Sequence, residues 1–258
     1  MVDKLAQDKG RQPVSEGEGL DRERVIFAAG SGITSKVFIS YIAGMTGKKN
    51  PRICHIPTAT GDHPNTIVNW YTNCEDLEVR PYVMRTFINS LYTPQSFEEQ
   101  LLNMDAIIVG GGNTLNMMAI WKAQGIDIAL RKAYDSGIVM AGGSAGSLCW
   151  FNEGSTDSRP KELTVVQGLG FLNFSHSPHY LREEGRRPLY HRLIANQMMG
   201  PGYACDDDAA MIFVNGRLRH AVTLNAQHNC YYVSLDGEKI SEQRIDAEII
   251  AQDTILRS

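Results

Sequence analysis

A serine stands between glycines in Gly142-Gly143-Ser144-Ala145-Gly146, directly after the apolar run Ile138 to Ala141. The G-x-S-x-G spacing is that of a nucleophile elbow: a serine on a sharp strand-to-helix turn takes a strained backbone conformation, and only small neighbours let the chain reverse around it. Such a turn lifts the Ser144 hydroxyl clear of a sheet. It also aims the Ala145 N–H, at the start of the next helix, toward the place where an oxyanion would form. The chemistry this predicts is acyl transfer, which needs a base for the hydroxyl proton and a third group to hold that base in the right tautomer.

Two of the seven histidines, His176 and His179, lie in Phe174-Ser-His-Ser-Pro-His-Tyr180, an apolar strand ending at a proline. His179 follows the strand's end and is the better placed as base. His55 sits inside a strand and reads as a core histidine, while His63, His191, His220 and His228 have no second signal beside them. For the third group, Asp206-Asp207-Asp208 lies between two apolar stretches. Adjacent carboxylates repel, and a solvated turn or helix cap explains any one of them as well as an orienting role does. Which of the three reaches a histidine is left open.

A second loop, Gly110-Gly111-Gly112-Asn113, could complete an oxyanion hole with its backbone N–H groups and offer the Asn113 amide to a substrate. It has neither G-x-G-x-x-G spacing nor the lysine of a P-loop. Arg182, Arg186 and Arg187 follow His179 closely enough to bind a substrate carboxylate through two parallel hydrogen bonds, or they form a solvated basic turn.

These residues need a scaffold that brings them to one edge. Val25 to Gly30, Arg52 to Pro57, Leu77 to Met84, Asp105 to Gly110 and Gly137 to Ala141 read as strands alternating with helical segments at Thr34 to Met45, Asn65 to Cys74, Ser96 to Met104 and beyond Thr114. Unbroken apolar strands between helices predict an α/β fold: a mostly parallel sheet with helices on both faces and functional loops at the strands' C-terminal ends. Both glycine-rich loops fall on that edge. Beyond Trp150, short strands at 164–166, 209–214, 219–222 and 231–234, hairpin signals at Asn215-Gly216 and Asp236-Gly237, and one helix over Pro188 to Met199 predict a more antiparallel part.

A chain of 258 residues suits one large domain, expected at 23–258 after a flexible tail at 1–22. The net charge of -4 gives no basic footprint for nucleic acid. No apolar stretch reaches the length of about 20 residues that spans a bilayer. Five scattered cysteines, without C-x-x-C spacing, argue against a disulfide framework and for a reducing cytoplasm, with Cys149 and Cys205 read as small buried residues. A small-molecule partner and a monomeric or homodimeric state are expected.

The joint order of Gly-Gly-Gly-Asn-Thr at 110–114, Gly-x-Ser-Ala-Gly at 142–146, Pro-His-Tyr at 178–180 and an acid cluster before an apolar strand resembles the dipeptidase E family of serine peptidases, which includes cyanophycinase. The resemblance covers roughly Val25 to Val222. It implies a three-layer, class I glutamine amidotransferase-like fold and a Ser-His-acid hydrolase that removes N-terminal aspartyl residues from dipeptides without metal or cofactor. By position it implies Ser144 as nucleophile, His179 as base and Asp207 as the acid, where the family usually has glutamate. Gly111 or Gly112 with Ala145 would form the oxyanion hole, and Asn113 would contact substrate. The family often has a large aromatic where Gly143 stands and alanine where Ser147 stands. Hydrolysis of β-aspartyl or cyanophycin-like peptides, and a non-catalytic binding role, are the alternatives. Glutamine amidotransferase activity is disfavoured because that chemistry uses cysteine at the elbow.

Overall fold

Strands β1 (Val25–Ala29), β2 (Arg52–Ile56), β4 (Ala106–Val109) and β5 (Val139–Gly143) are almost entirely buried, as continuous apolar runs covered on both faces must be. Their alternate residues feed two separate cores: Ile26, Ala28, Ile107 and Val109 face one layer, and Phe27, Ala29, Ala106 and Ile108 the other. The computed structural model describes residues 23–88, 92 and 94–251, so the tail expected at 1–22 lies outside them.

Helices α1 (Lys36–Met45), α2 (Pro64–Cys74), α3 (Phe97–Leu102), α4 (Thr114–Gln124), α5 (Ile126–Asp135) and the short α6 (Ala145–Leu148) connect the first strands, which include β3 (Arg80–Val83). Local chemistry sets their ends. Ser35 caps α1 by accepting from the Val37 N–H, and Ser96 with Glu99 forms a reciprocal capping box on α3. Gly125 (φ 72°) ends α4 in a left-handed turn and α5 starts at once, where the sequence reading has a single helix.

The second half contributes β6 (Phe151–Arg159), β7 (Glu162–Gln167), β8 (Leu172–Ser177), α7 (Arg186–Ala195), β9 (Gly202–Cys205), β10 (Ala209–Val214), β11 (Arg217–Thr223), β12 (Cys230–Asp236), β13 (Lys239–Ile245) and β14 (Glu248–Ile249). The first sheet runs β14-β11-β10-β1-β5-β4-β2-β3, parallel from β1 through β3 and antiparallel where β10 joins β1 and β11 joins β10. This is the expected α/β architecture, a mostly parallel sheet flanked by helices. The more antiparallel part divides: β10, β11 and β14 extend that sheet, while the remaining strands form a second one, β13-β12-β9-β8-β6-β7. In it, β6, β8 and β9 are parallel. Among the described residues no helix is long and apolar enough to cross a membrane.

Candidate active site

The strand order β1-β5-β4 sets three turns side by side, and the middle one is the elbow. Ser144 adopts φ 57° and ψ −120°, a conformation that L-residues avoid unless their surroundings enforce it. The enforcement is backbone packing. A Cβ on Gly142 would lie 2.1 Å from the Gly146 carbonyl oxygen, and one on Gly146 2.1 Å from that of Val109. The Ser144 N–H donates to the Ala29 carbonyl at the end of β1 (3.3 Å).

Strands β8 and β9 lie parallel with Ser177 opposite Ala204, so residues two and three further on, His179 and Asp207, leave the second sheet together. His179 also has positive φ (52°), and its N–H donates to the Gly30 carbonyl (3.2 Å) while the Gly30 N–H donates to Ala209 (3.0 Å). The end of β1 thus ties serine, histidine and acid segments to one another. A Cβ on Gly30 would fall 2.0 Å from the Asp206 carbonyl oxygen. Sequence reading passes over Gly30 and Ser31 because they carry no reactive group; the only signal is a glycine-rich turn after an apolar strand.

The side chains converge. His179 Nε2 is 2.9 Å from Ser144 Oγ, and its Nδ1 is 2.6 Å from Asp207 Oδ1. Asp207 is only 8% exposed; burial pushes its carboxyl up, but hydrogen bonds from Arg182 and His179 outweigh this and hold it below the ordinary carboxylate value. An ionised Asp207 can only accept, so Nδ1 carries the proton and Nε2 is left to accept from the serine hydroxyl. The neighbouring acids do other work. The buried Asp206 carboxylate accepts from the N–H groups of Leu181 and Asn229 and from the Tyr231 hydroxyl, and burial raises its pKa. Asp208 is half exposed, 3.4 Å from His228.

Opposite the histidine, Gly111 lies so close to the nucleophile that a Cβ there would sit 3.2 Å from Ser144 Cβ. Gly112 (φ 136°) packs on the carbonyl of Ala59, in a 3-10 turn at Thr58–Thr60. The N–H groups of Gly110 and Asn113 are spent on Ile56 and Ala59. Those of Gly111, Gly112 and Ala145 have no protein acceptor among the described residues.

Three side chains expected to contact substrate have hydrogen bonds within the protein. The Asn113 amide caps α4, accepting from the Asn116 N–H (2.9 Å), and donates to the Ser158 carbonyl (3.0 Å), so both ends are used within the protein. Arg187 forks onto Glu242 (2.8 and 3.0 Å), and Arg186, 1% exposed, is bound by Glu183 and the Ser155 carbonyl. Only Arg182 reaches the site, where it donates to Asp207 Oδ2 at 2.5 Å. Gly143 has no room for the aromatic common in the resembling family, because a Cβ there would lie 1.8 Å from the Ser31 carbonyl oxygen. Gly143→Ala is therefore expected to destabilise by about 3 kcal/mol or more, read as a fall in melting temperature and soluble yield.

His176 and His55 are core residues. His176 is stacked on Phe151 and bonded to Ser147 and the Tyr203 carbonyl, and burial lowers its pKa to about 3. Burial lowers that of His55 to about 4. Unfolding at acid pH lets both take up protons that the folded state refuses. Their contribution is fully present above the ordinary histidine value of about 6.5. It is lost as pH falls from there toward those folded values, with a slope approaching about 1.4 kcal/mol per pH unit for each histidine. Urea unfolding at pH 7 and pH 5 checks this. Cys149 and Cys205 are buried, and burial raises both thiols. Among the described residues no group of three or more His, Cys, Asp or Glu is placed to hold a metal ion.

The model of peptidase family S51 matches residues 26–221. An uncharacterized peptidase, YgaJ, of Bacillus subtilis (strain 168) is 42% identical over 204 residues, which cover 78% of this chain and 86% of the relative. Peptidase E of Nostoc sp. (strain PCC 7120) is 30% identical over 94 residues, 36% of this chain and 39% of that one. Among solved structures, a peptidase from an acI-B1 Actinobacterium superposes with a TM-score of 0.67 at 17% identity, covering 88% of this chain and 96% of that one. A putative peptidase E protein from Listeria monocytogenes EGD-e gives 0.54 at 16%, covering 87% and 100%.

Proposed function

Because the chain belongs to peptidase family S51 and so is a peptidase, we propose that it is a serine-type dipeptidase acting through Ser144, His179 and Asp207 on dipeptides with an N-terminal aspartyl residue. The observation that carries the catalytic assignment is the unbroken relay of hydrogen bonds from Ser144 Oγ through His179 to Asp207. The substrate class follows from resemblance: the motif set is that of the dipeptidase E family, and one relative bears the name Peptidase E.

In the reaction, Ser144 Oγ attacks the scissile carbonyl carbon as Nε2 of His179 takes the hydroxyl proton. The negative oxygen is received by the N–H of Ala145 and that of Gly111 or Gly112. Ionised Asp207 stabilises the imidazolium, which returns its proton to the leaving amine. Water, deprotonated by the same Nε2, then attacks the ester and releases the acyl residue with regeneration of Ser144.

A fluorophosphonate probe tests the nucleophile without knowledge of the substrate. Labelling at Ser144 that disappears in His179→Ala is expected, and a wild-type enzyme that resists the probe would count against the reading. A panel of Asp-X, β-Asp-X and unrelated dipeptides then decides the substrate. Preferential turnover of the β-linked members would replace the aspartyl dipeptide assignment by the β-aspartyl one.

A further inference from the structure

We propose that Arg182 is a positioning residue of the triad: its guanidinium holds the outer oxygen of Asp207 so that the inner one stays on His179. This rests on the catalytic reading above. It differs from the substrate-binding role that the sequence suggests for this arginine.

The geometry singles it out. Among the described residues the Asp207 carboxylate has two partners, His179 on Oδ1 and Arg182 on Oδ2. Asp206, next to it, is held by two backbone N–H groups and a tyrosine hydroxyl. The acid that must keep one orientation therefore lacks the backbone donors that its neighbour has, and a single side chain three residues after the base does their work. Without Arg182 the outer oxygen would be left without a protein donor in a site that is 8% exposed, free to rotate toward water and away from Nδ1. The latch itself sits in solvent, with 73% of its side chain exposed. It can be replaced without opening a core.

The test is the rate of Ser144 labelling by a fluorophosphonate in wild type, Arg182→Gln and Arg182→Lys, with thermal melts to confirm folding. Arg182→Gln is expected to label on the order of ten- to hundredfold more slowly at an unchanged melting temperature. Arg182→Lys keeps a charged donor but not the planar fork; it should restore part of the rate. Equal rates in wild type and Arg182→Gln would overturn the proposal while the catalytic reading stands. A rise in KM confined to acidic dipeptides, with labelling unchanged, would also overturn it and make Arg182 a substrate contact. A wild type that does not label at all sinks the catalytic reading instead.

Discussion

Ser144→Ala is expected to lower turnover of dipeptide by roughly a million-fold, the loss seen when a member of a cooperating triad is deleted, while the protein still folds. Folding is expected to survive because the backbone at this position is fixed by its neighbours. The Ser144 N–H is held by Ala29, the flanking glycines pack against carbonyl groups, and the hydroxyl's partner is His179 at the site itself. The strain that remains is backbone strain, and it supplies an internal control. Alanine at φ 57° is as strained as serine, whereas Ser144→Gly can occupy that region without penalty. The glycine variant should be equally inactive yet more stable than the alanine variant by about 1 kcal/mol, measured by thermal or urea unfolding. Together the pair separates the two properties of the elbow: the conformation costs stability, and the hydroxyl it presents performs the chemistry. Residual turnover near the wild-type rate in either variant would remove Ser144 from the mechanism.

The parts of this site that were legible in the sequence are those where local chemistry and function coincide. Gly142 and Gly146 are demanded by the turn that also presents Ser144, so a single motif reports both. The histidine could be chosen from the end of an apolar strand. What could not be read is what depends on register between distant strands. Asp207 rather than Asp206 or Asp208 faces His179 because β8 and β9 are parallel with Ser177 opposite Ala204, a pairing that no local pattern encodes. The same limit explains the arginines. Arg186 and Arg187 open α7 beside Arg182, but Glu183 and Glu242 claim them, and Glu242 lies on β13, more than fifty residues away. Asn113 was legible only as a substrate contact; that its side chain caps the helix that follows was not read from the sequence. The second sheet was only half visible, since β6 and β13 mix polar and apolar residues without clean alternation, and β9 is only four residues long.

Asp207→Asn is expected to lower turnover roughly ten-thousandfold near neutral pH, and Arg182 makes the direction of that effect specific. An asparagine at this position has one oxygen and one amide nitrogen to distribute between two partners. Arg182 can only donate, so the oxygen turns toward it, and the amide NH2 is directed at His179 Nδ1. The imidazole then accepts at Nδ1 and carries its proton on Nε2, where it donates to Ser144 Oγ instead of receiving from it. The serine hydroxyl is thereby left without a base although every heavy atom stays in place. Removing the arginine from the mutant should then help. In Asp207→Asn with Arg182→Ala the amide is free to turn its oxygen toward Nδ1–H, and turnover should recover about tenfold or more over Asp207→Asn alone. Each substitution by itself is harmful, so a gain on combining them cannot come from independent losses at two sites. A double variant slower than Asp207→Asn would mean that the two residues act separately on the imidazole, and the tautomer argument would fail.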